Sequence, residues 1–275
     1  MTAKPILQDF FRLYFSFNPH EATERGYPGF DDRVPHFTRQ DFNDFRSALS
    51  TLEERLGSEK PRDTDAEIDC LLLRSAIELS TFFADSLDWI RTNPLFHVRS
   101  LLESIEGLDL REDIPETRRD EFLQKRLLQI AVFLQDACDE LRDPVDCLTD
   151  AASEMIDAAI RDLGERYPKG ECPAPLHDAG EEARHALGRA RERLTQLRGD
   201  ARPFTPMGED RYRWLLHSLH FLDDDLSRYR QIGEATIQEA KRLRATFDTS
   251  QVQEGQPPPG FGADQVLEHL REEME

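Results

Sequence analysis

The sequence predicts an all-α protein, a multi-helix array of about nine or ten mostly antiparallel helices. Three observations carry that reading. Apolar residues recur at steps of three and four along most of the chain, Pro, Gly and capping residues punctuate those runs, and repeated period-two runs of β-branched residues between turns are missing.

The elements follow in order. Asn18-Pro19-His20-Glu21-Ala22-Thr23-Glu24-Arg25-Gly26-Tyr27 reads as a short helix capped by Asn18, with Pro19 in its first turn and Gly26 just past its end. It feeds an irregular acidic stretch, Asp31-Asp32-Arg33-Val34-Pro35. Thr38 with Asp41 three residues on is a variant capping box, and Phe42, Phe45, Leu49, Leu52 and Leu56 then form one stripe ended by Gly57. A longer helix starting near Asp63-Thr64 carries Ile68, Leu71, Leu72, Ile77, Phe82, Phe83 and Leu87 as its apolar residues and stops before Asn93-Pro94. Pro94 restarts a helix with Leu95, Val98, Leu101, Leu102 and Ile105, ending at Gly107. From Pro115 the spacing runs through Phe122, Leu123, Leu127, Ile130, Phe133, Leu134, Ala137 and Leu141, and Asp143-Pro144 separates it from a helix with Leu148, Met155, Ile156, Ile160 and Leu163. Residues Gly164 to Pro175 read as a loop, and a helix along Ala179, Ala183, Leu187, Ala190, Leu194 and Leu197 follows. Gly208 to Leu222 and Asp225 to Phe247 supply two more. Short proline turns between long helices favour antiparallel neighbours. The domain organisation expected is a helical domain over 1–247, a Pro/Gly linker over 248–262 containing Gln256-Pro257-Pro258-Pro259-Gly260, and a short C-terminal helix over 263–275.

Charge narrows the partners. The 275 residues carry 55 acidic against 35 basic side chains, a formal net charge of -20, which argues against nucleic acid and anionic membranes because like charge repels phosphate. Apolar runs are too short to cross a bilayer, and Arg12 interrupts Phe10-Phe11-Arg12-Leu13 where a secretory leader needs continuous apolar residues, so a cytoplasmic location is expected. Cys70, Cys138, Cys147 and Cys172 have no C-x-x-C spacing and read as reduced, mostly packed thiols. The basic residues are 30 Arg and only five Lys, a halophile-like balance that a GC-rich genome also produces.

Motifs exclude more chemistry than they supply. A zincin needs His-Glu-x-x-His on one helix, and the only His-Glu pair, His20-Glu21, is followed at the required position by Glu24. A di-metal helical bundle needs Glu-x-x-His twice, and only Glu182-Ala183-Arg184-His185 is present, which reads better as solvated charge on an alanine-rich helix. His217, His220 and Asp224 have the spacing of a ligand face, but Trp214, Leu215, Leu216, Leu219 and Phe221 around them suggest a packing helix. No Gly-x-Ser-x-Gly and no Gly-Lys pair occurs, and Gly260-Phe261-Gly262 lacks the third glycine of a dinucleotide loop. Asp31-Asp32, Glu181-Glu182 and Asp223-Asp224-Asp225 are expected on solvated faces and helix starts. The sequence therefore assigns no catalytic, cofactor-binding or metal-binding residue and implies no cofactor.

One stretch points further. Asn18-Pro19-x-x-Ala22-Thr23-x-x-Gly26, the downstream Asp31-Asp32-Arg33 and the Thr38 helix resemble the opening of the bacterial family known as domain of unknown function 885. The likeness continues through Asn93-Pro94-Leu95-Phe96, the Arg126 to Leu141 helix with Asp143-Pro144, and Met207-Gly208-Glu209-Asp210-Arg211-Tyr212. The resemblance implies a helical fold related to zinc metallopeptidases of the gluzincin type, whose metal motif lies in the C-terminal half of a chain about twice this long. This sequence ends before that half, so the resemblance transfers no ligand and no catalytic glutamate. In related folds the matching half forms one wall of a substrate channel, which Tyr27, Asp31, Asp32 and Arg33 would face unless they form a purely structural loop. Three functions are then open: the non-catalytic helical half of a metallopeptidase-like protein, partnered by a separately encoded catalytic half or standing alone; a helical interaction module that self-associates or binds a partner; or a hydrolase without a recognised motif.

Overall fold

The three- and four-residue spacing folds into helices throughout a computed structural model that describes residues 4–61, 63–86, 88–222 and 225–246. The protein is all-α, and among the described residues the only extended pairing is an isolated bridge between Val145 and Arg202. In chain order the helices are α1 (Lys4–Phe17), α2 (Pro19–Glu24), α3 (Arg39–Gly57), α4 (Thr64–Ser86), α5 (Trp89–Thr92), α6 (Pro94–Asp109), α7 (Glu116–Glu140), α8 (Asp146–Arg166), α9 (Ala174–Leu197), α10 (Glu209–His220) and α11 (Leu226–Thr246). The chain divides into two compact units, residues 1–222 and 223–275. The expected linker over 248–262 and the C-terminal helix over 263–275 lie outside the described residues.

In the first unit α6, α7, α8 and α9 pack on one another around Leu101, Leu108, Leu127, Ile130, Ile156 and Leu187, each side chain removed from water. Full burial of such a side chain is worth about 1.5–3 kcal/mol relative to exposure, so this cluster is the main source of stability. The small residues Ala179, Ala183, Ala186 and Ala190 form the buried stripe of α9, and Gly180 lies so close to the Tyr167 ring that an added Cβ would sit 3.1 Å from it. A second core joins α1, α3 and α4 through Ile6, Phe10, Phe45, Leu49, Leu73 and Ile77.

Local signals account for several boundaries. At α3 both halves of the capping box form: the Asp41 amide donates to Thr38 Oγ1 (3.2 Å) and the Thr38 amide donates to Asp41 Oδ2 (2.9 Å). Asn93 Oδ1 accepts from the Phe96 amide at 2.9 Å and starts α6 beside Pro94. Elsewhere tertiary packing overrides the sequence expectation. Helix α1 has no counterpart among the expected elements, although Ile6 and Phe10 bury one turn apart on it. Gly107 does not end α6; it is buried within the helix, where an added Cβ would lie 3.5 Å from the Glu24 side chain, so its smallness admits α2. Gly164 likewise stays inside α8, beneath the Arg184 guanidinium of α9. The long run expected from Asp63 to Asn93 is not one helix: Asp88, in the left-handed region (φ 47°), precedes the single turn of α5.

The apolar face of α4 matches its expected one at Ile77 and differs at its start. Leu73 and Ile77 are the residues buried against α3 and α1, whereas Ile68, Leu71 and Leu72 are about half exposed. Helix α4 packs on α10 through Phe82 and Trp214, whose rings stack at 4.4 Å, and Ser75 Oγ donates to the Ser218 carbonyl. Around α10, Phe204, Tyr212, Leu219, Phe221 and Leu222 remain exposed. In the second unit, Ile232 and Ile237 of α11 are exposed. No helix among the described residues is long and apolar enough to cross a membrane.

Candidate functional site

The segment from Asn18 to Val34, singled out by its motif, is bound to the bundle by one buried arginine. Arg126 lies on the core face of α7 between Leu123 and Ile130 and is fully buried. Its guanidinium donates to Thr23 Oγ1 (2.5 Å), to the Phe30 carbonyl (3.2 Å) and to the Ser104 carbonyl, tying α2, the following loop and α6 together. Its Nε has no partner, and burial pulls its pKa down to about 10 against the pull of Asp31 and Asp32. A second arginine, Arg111, donates to the Thr23 carbonyl (2.7 Å), lies 3.6 Å from the nearly buried Asp31 carboxylate, and is held by Asp113. Gln129 donates to the Asp32 carbonyl at 2.9 Å and Lys125 lies 3.3 Å from the Asp32 carboxylate. Gly26 takes φ +67°, a left-handed turn that costs an L side chain strain.

These contacts give the motif residues structural work. Tyr27 packs its ring between Phe15 (4.8 Å) and Phe30 (5.9 Å), and Arg33 lies over the Phe30 ring. Asn18 occupies the N-cap position of α2, but its side chain makes no capping bond; it donates instead to the Tyr14 carbonyl at 3.2 Å. His20 is buried, its Nδ1 lacks a partner, its Nε2 is 3.9 Å from Glu103, and burial lowers its pKa, which keeps the ring neutral. The signal for the clamp was present as a lone arginine in the middle of an apolar stripe.

Beside the clamp, α1, α2, α3 and α4 surround a cavity of about 430 Å³ that is open on one side. Its walls are largely rings: Phe10, Phe15, Phe17, Phe45, Phe83 and Trp89 among them. Phe17 stacks on Phe45 at 4.2 Å and Phe10 on Tyr14 at 5.8 Å, so the walls are braced by their own packing. Polar groups gather where α2 meets the cavity. The Tyr14 hydroxyl donates to Glu21 Oε1 at 2.6 Å, and Arg25 Nη1 lies 2.7 Å from Glu21 Oε2. The bond to Glu21, together with burial as the larger cause, raises the Tyr14 pKa far above its usual value, so the phenol stays protonated. Phenol, carboxylate and guanidinium can orient a bound molecule through hydrogen bonds; a nucleophile with an adjacent base is not part of this set.

The other sequence candidates are not brought together. His217 and His220 are exposed on α10, and Asp224 lies outside the described residues. Glu182 and His185 are exposed on α9, opposite its buried alanines. No group of three or more His, Cys, Asp or Glu residues able to hold a metal ion is found among the described residues.

No protein-family model and no curated protein matches this sequence. Among solved structures the chain is similar to a candidate lipoprotein of unknown function from Shewanella oneidensis, with a TM-score of 0.62 and 11% identity. The match covers 78% of this chain and 41% of that one, so this chain spans less than half the length of the protein it resembles, and at that identity the likeness is one of fold alone.

Proposed function

We propose that this chain is the non-catalytic helical body of a metallopeptidase-like bacterial protein and works against a catalytic part that it does not itself contain. The observation that carries the reading is the uncovered apolar stripe Ile68, Leu71 and Leu72 on α4, with Tyr212, Leu219 and Phe221 exposed on and beside the neighbouring α10. Exposed apolar side chains grouped on neighbouring helices often mark a contact with another body. The fold likeness to a longer protein supports the reading, as does the resemblance of the Asn18 to Arg33 and Asn93 to Phe96 segments to the domain of unknown function 885 family. The four unpaired thiols fit a reducing compartment, and we place the protein in the cytoplasm.

The neighbouring coding region and the purified chain test this together. A nearby segment encoding His-Glu-x-x-His, whose product binds this chain and is lost on Leu71→Glu with Leu72→Glu, is the expected result. Peptidase turnover by this chain alone, abolished by one point substitution, would overturn it. The second reading, a self-associating helical module, rests on the same exposed stripe; a defined homo-oligomer by sedimentation, dissolved by the same two substitutions and indifferent to any catalytic segment, would replace the first.

A further inference from the structure

The aromatic cavity is unused by the reading above and does not depend on it. We propose that it is a binding site for a neutral amphiphile, a molecule with an apolar aromatic or acyl body and a single hydroxyl, carbonyl or uncharged aryl-amine head.

Size and lining set the body of the ligand. A space of about 430 Å³ falls within the range of small-molecule sites, roughly 300–1,000 Å³. Water placed against Phe10, Phe15, Phe17 and Phe83 finds few hydrogen-bond partners, so its release favours an apolar guest. The Phe17–Phe45 stack fixes α1 against α3 and the Phe10–Tyr14 stack fixes neighbouring rings along α1, so the lining is ordered without a ligand, which lowers the ordering cost of binding.

Charge sets the head. Glu21 and Arg25 both line the cavity and neutralise each other at 2.7 Å. An anionic head would meet the Glu21 carboxylate and a cationic head the Arg25 guanidinium, so each would have to break the pair or face like charge. A neutral head leaves the pair intact. It can donate to Glu21 or Asn18 and accept from Arg25, whose contacts reach only Glu21 through Nη1.

The chain has two tryptophans, and only Trp89 is on the cavity wall; Trp214 stacks on Phe82. The test titrates N-phenyl-1-naphthylamine, a neutral aromatic probe, into Trp214→Phe protein, where Trp89 is the sole tryptophan. The expected result is saturable binding of one probe per chain, with Trp89 quenched in step and the probe displaced by 1-decanol. Ala76 and Ser80 line the cavity, and Ser80 Oγ only back-bonds to the Ala76 carbonyl at 2.8 Å, so Ala76→Phe and Ser80→Leu fill the space from two positions. Each is expected to weaken the probe at least tenfold while circular dichroism reports an unchanged fold. Should both variants fail to fold, the location is read from the parent: quenching of Trp89 in Trp214→Phe protein without quenching of Trp214 in Trp89→Phe protein supports the site, and equal quenching overturns it. Non-saturating binding, or binding indifferent to both filling substitutions, overturns the proposal. Anilinonaphthalene sulfonate or decyltrimethylammonium binding as tightly as the neutral probe overturns the assignment of the head.

Discussion

Replacing Arg126 with Met should loosen the whole Asn18 to Val34 segment from the bundle. The wild-type guanidinium serves three buried acceptors, Thr23 Oγ1, the Phe30 carbonyl and the Ser104 carbonyl, and shares its surroundings with the nearly buried Asp31 carboxylate. Hydrogen bonds from a charged donor are worth about 1.5–3 kcal/mol each, so three at the low end give about 4–5 kcal/mol. Burying the guanidinium opposes this, as the fall of its pKa to about 10 shows, and methionine escapes that penalty while filling most of the volume. A net loss of about 3 kcal/mol follows, in line with removing one partner of a buried charged network. In a unit of this size that corresponds to a melting temperature lower by about 6–12 °C. The assay is thermal unfolding by far-ultraviolet circular dichroism at pH 7, with Arg126→Met/Asp31→Asn alongside. The double variant should lose no less than the single one, because Asp31→Asn also removes the charge that Arg111 faces at 3.6 Å. A single variant that melts within about 2 °C of the wild type would refute the view that Arg126 holds this segment, since the bond and pairing losses would then have cancelled against desolvation.

Three further outcomes follow from the same geometry. Burial lowers the His97 pKa to about 4, and the neutral ring donates from Nε2 to the Ile90 carbonyl at 2.9 Å. Because the unfolded chain takes up the proton first, this stability is fully present above about pH 6.5 and is lost as pH falls through about 4, to a total of about 3 kcal/mol. Urea midpoints measured from pH 7.5 to 4.5 should fall more steeply for the wild type than for His97→Phe, whose ring joins Phe37, Phe96 and Phe133; equal slopes would reject the assignment. Gly26→Ala should destabilise by about 1–2 kcal/mol through left-handed strain alone, since the new Cβ meets nothing nearer than the Arg111 guanidinium at 4.0 Å. Thr38→Ala should remove about 1 kcal/mol and speed amide exchange in the first turn of α3, which native-state hydrogen exchange can localise.

The helices that were legible in the sequence are those whose signals are local. The Thr38–Asp41 box and the stripe Phe45, Leu49, Leu52 and Leu56 lie within one helix, and each signal fits the same backbone conformation. Helix α4 was read with the right start and with one of its two core residues, Ile77, while Leu73 was missed. Its apolar residues go nearly all round, and only the positions of α1 and α3 select Leu73 beside Ile77 and leave Ile68, Leu71 and Leu72 half exposed. Gly107 and Gly164 look like helix stops in one dimension; in the fold they are places where Glu24 and Arg184 come close. The lone arginine in an apolar stripe marked the polar heart of the candidate site, but its partners could not be read, because Arg126 meets acceptors that lie 22, 96 and 103 residues away.

The sequence by itself determined the all-α class, most of the helix starts and the lack of a recognised catalytic motif. These depend on hydrogen bonds and side-chain spacing within a turn or two. Only the tertiary structure decided which α4 face stays uncovered, that the Asn18 to Val34 motif is pinned by a buried arginine, and that rings from α1, α3, α4, α5 and α6 line one open cavity. Burial and charge pairing between distant segments have no local signature, because they exist only after the chain has brought those segments into contact.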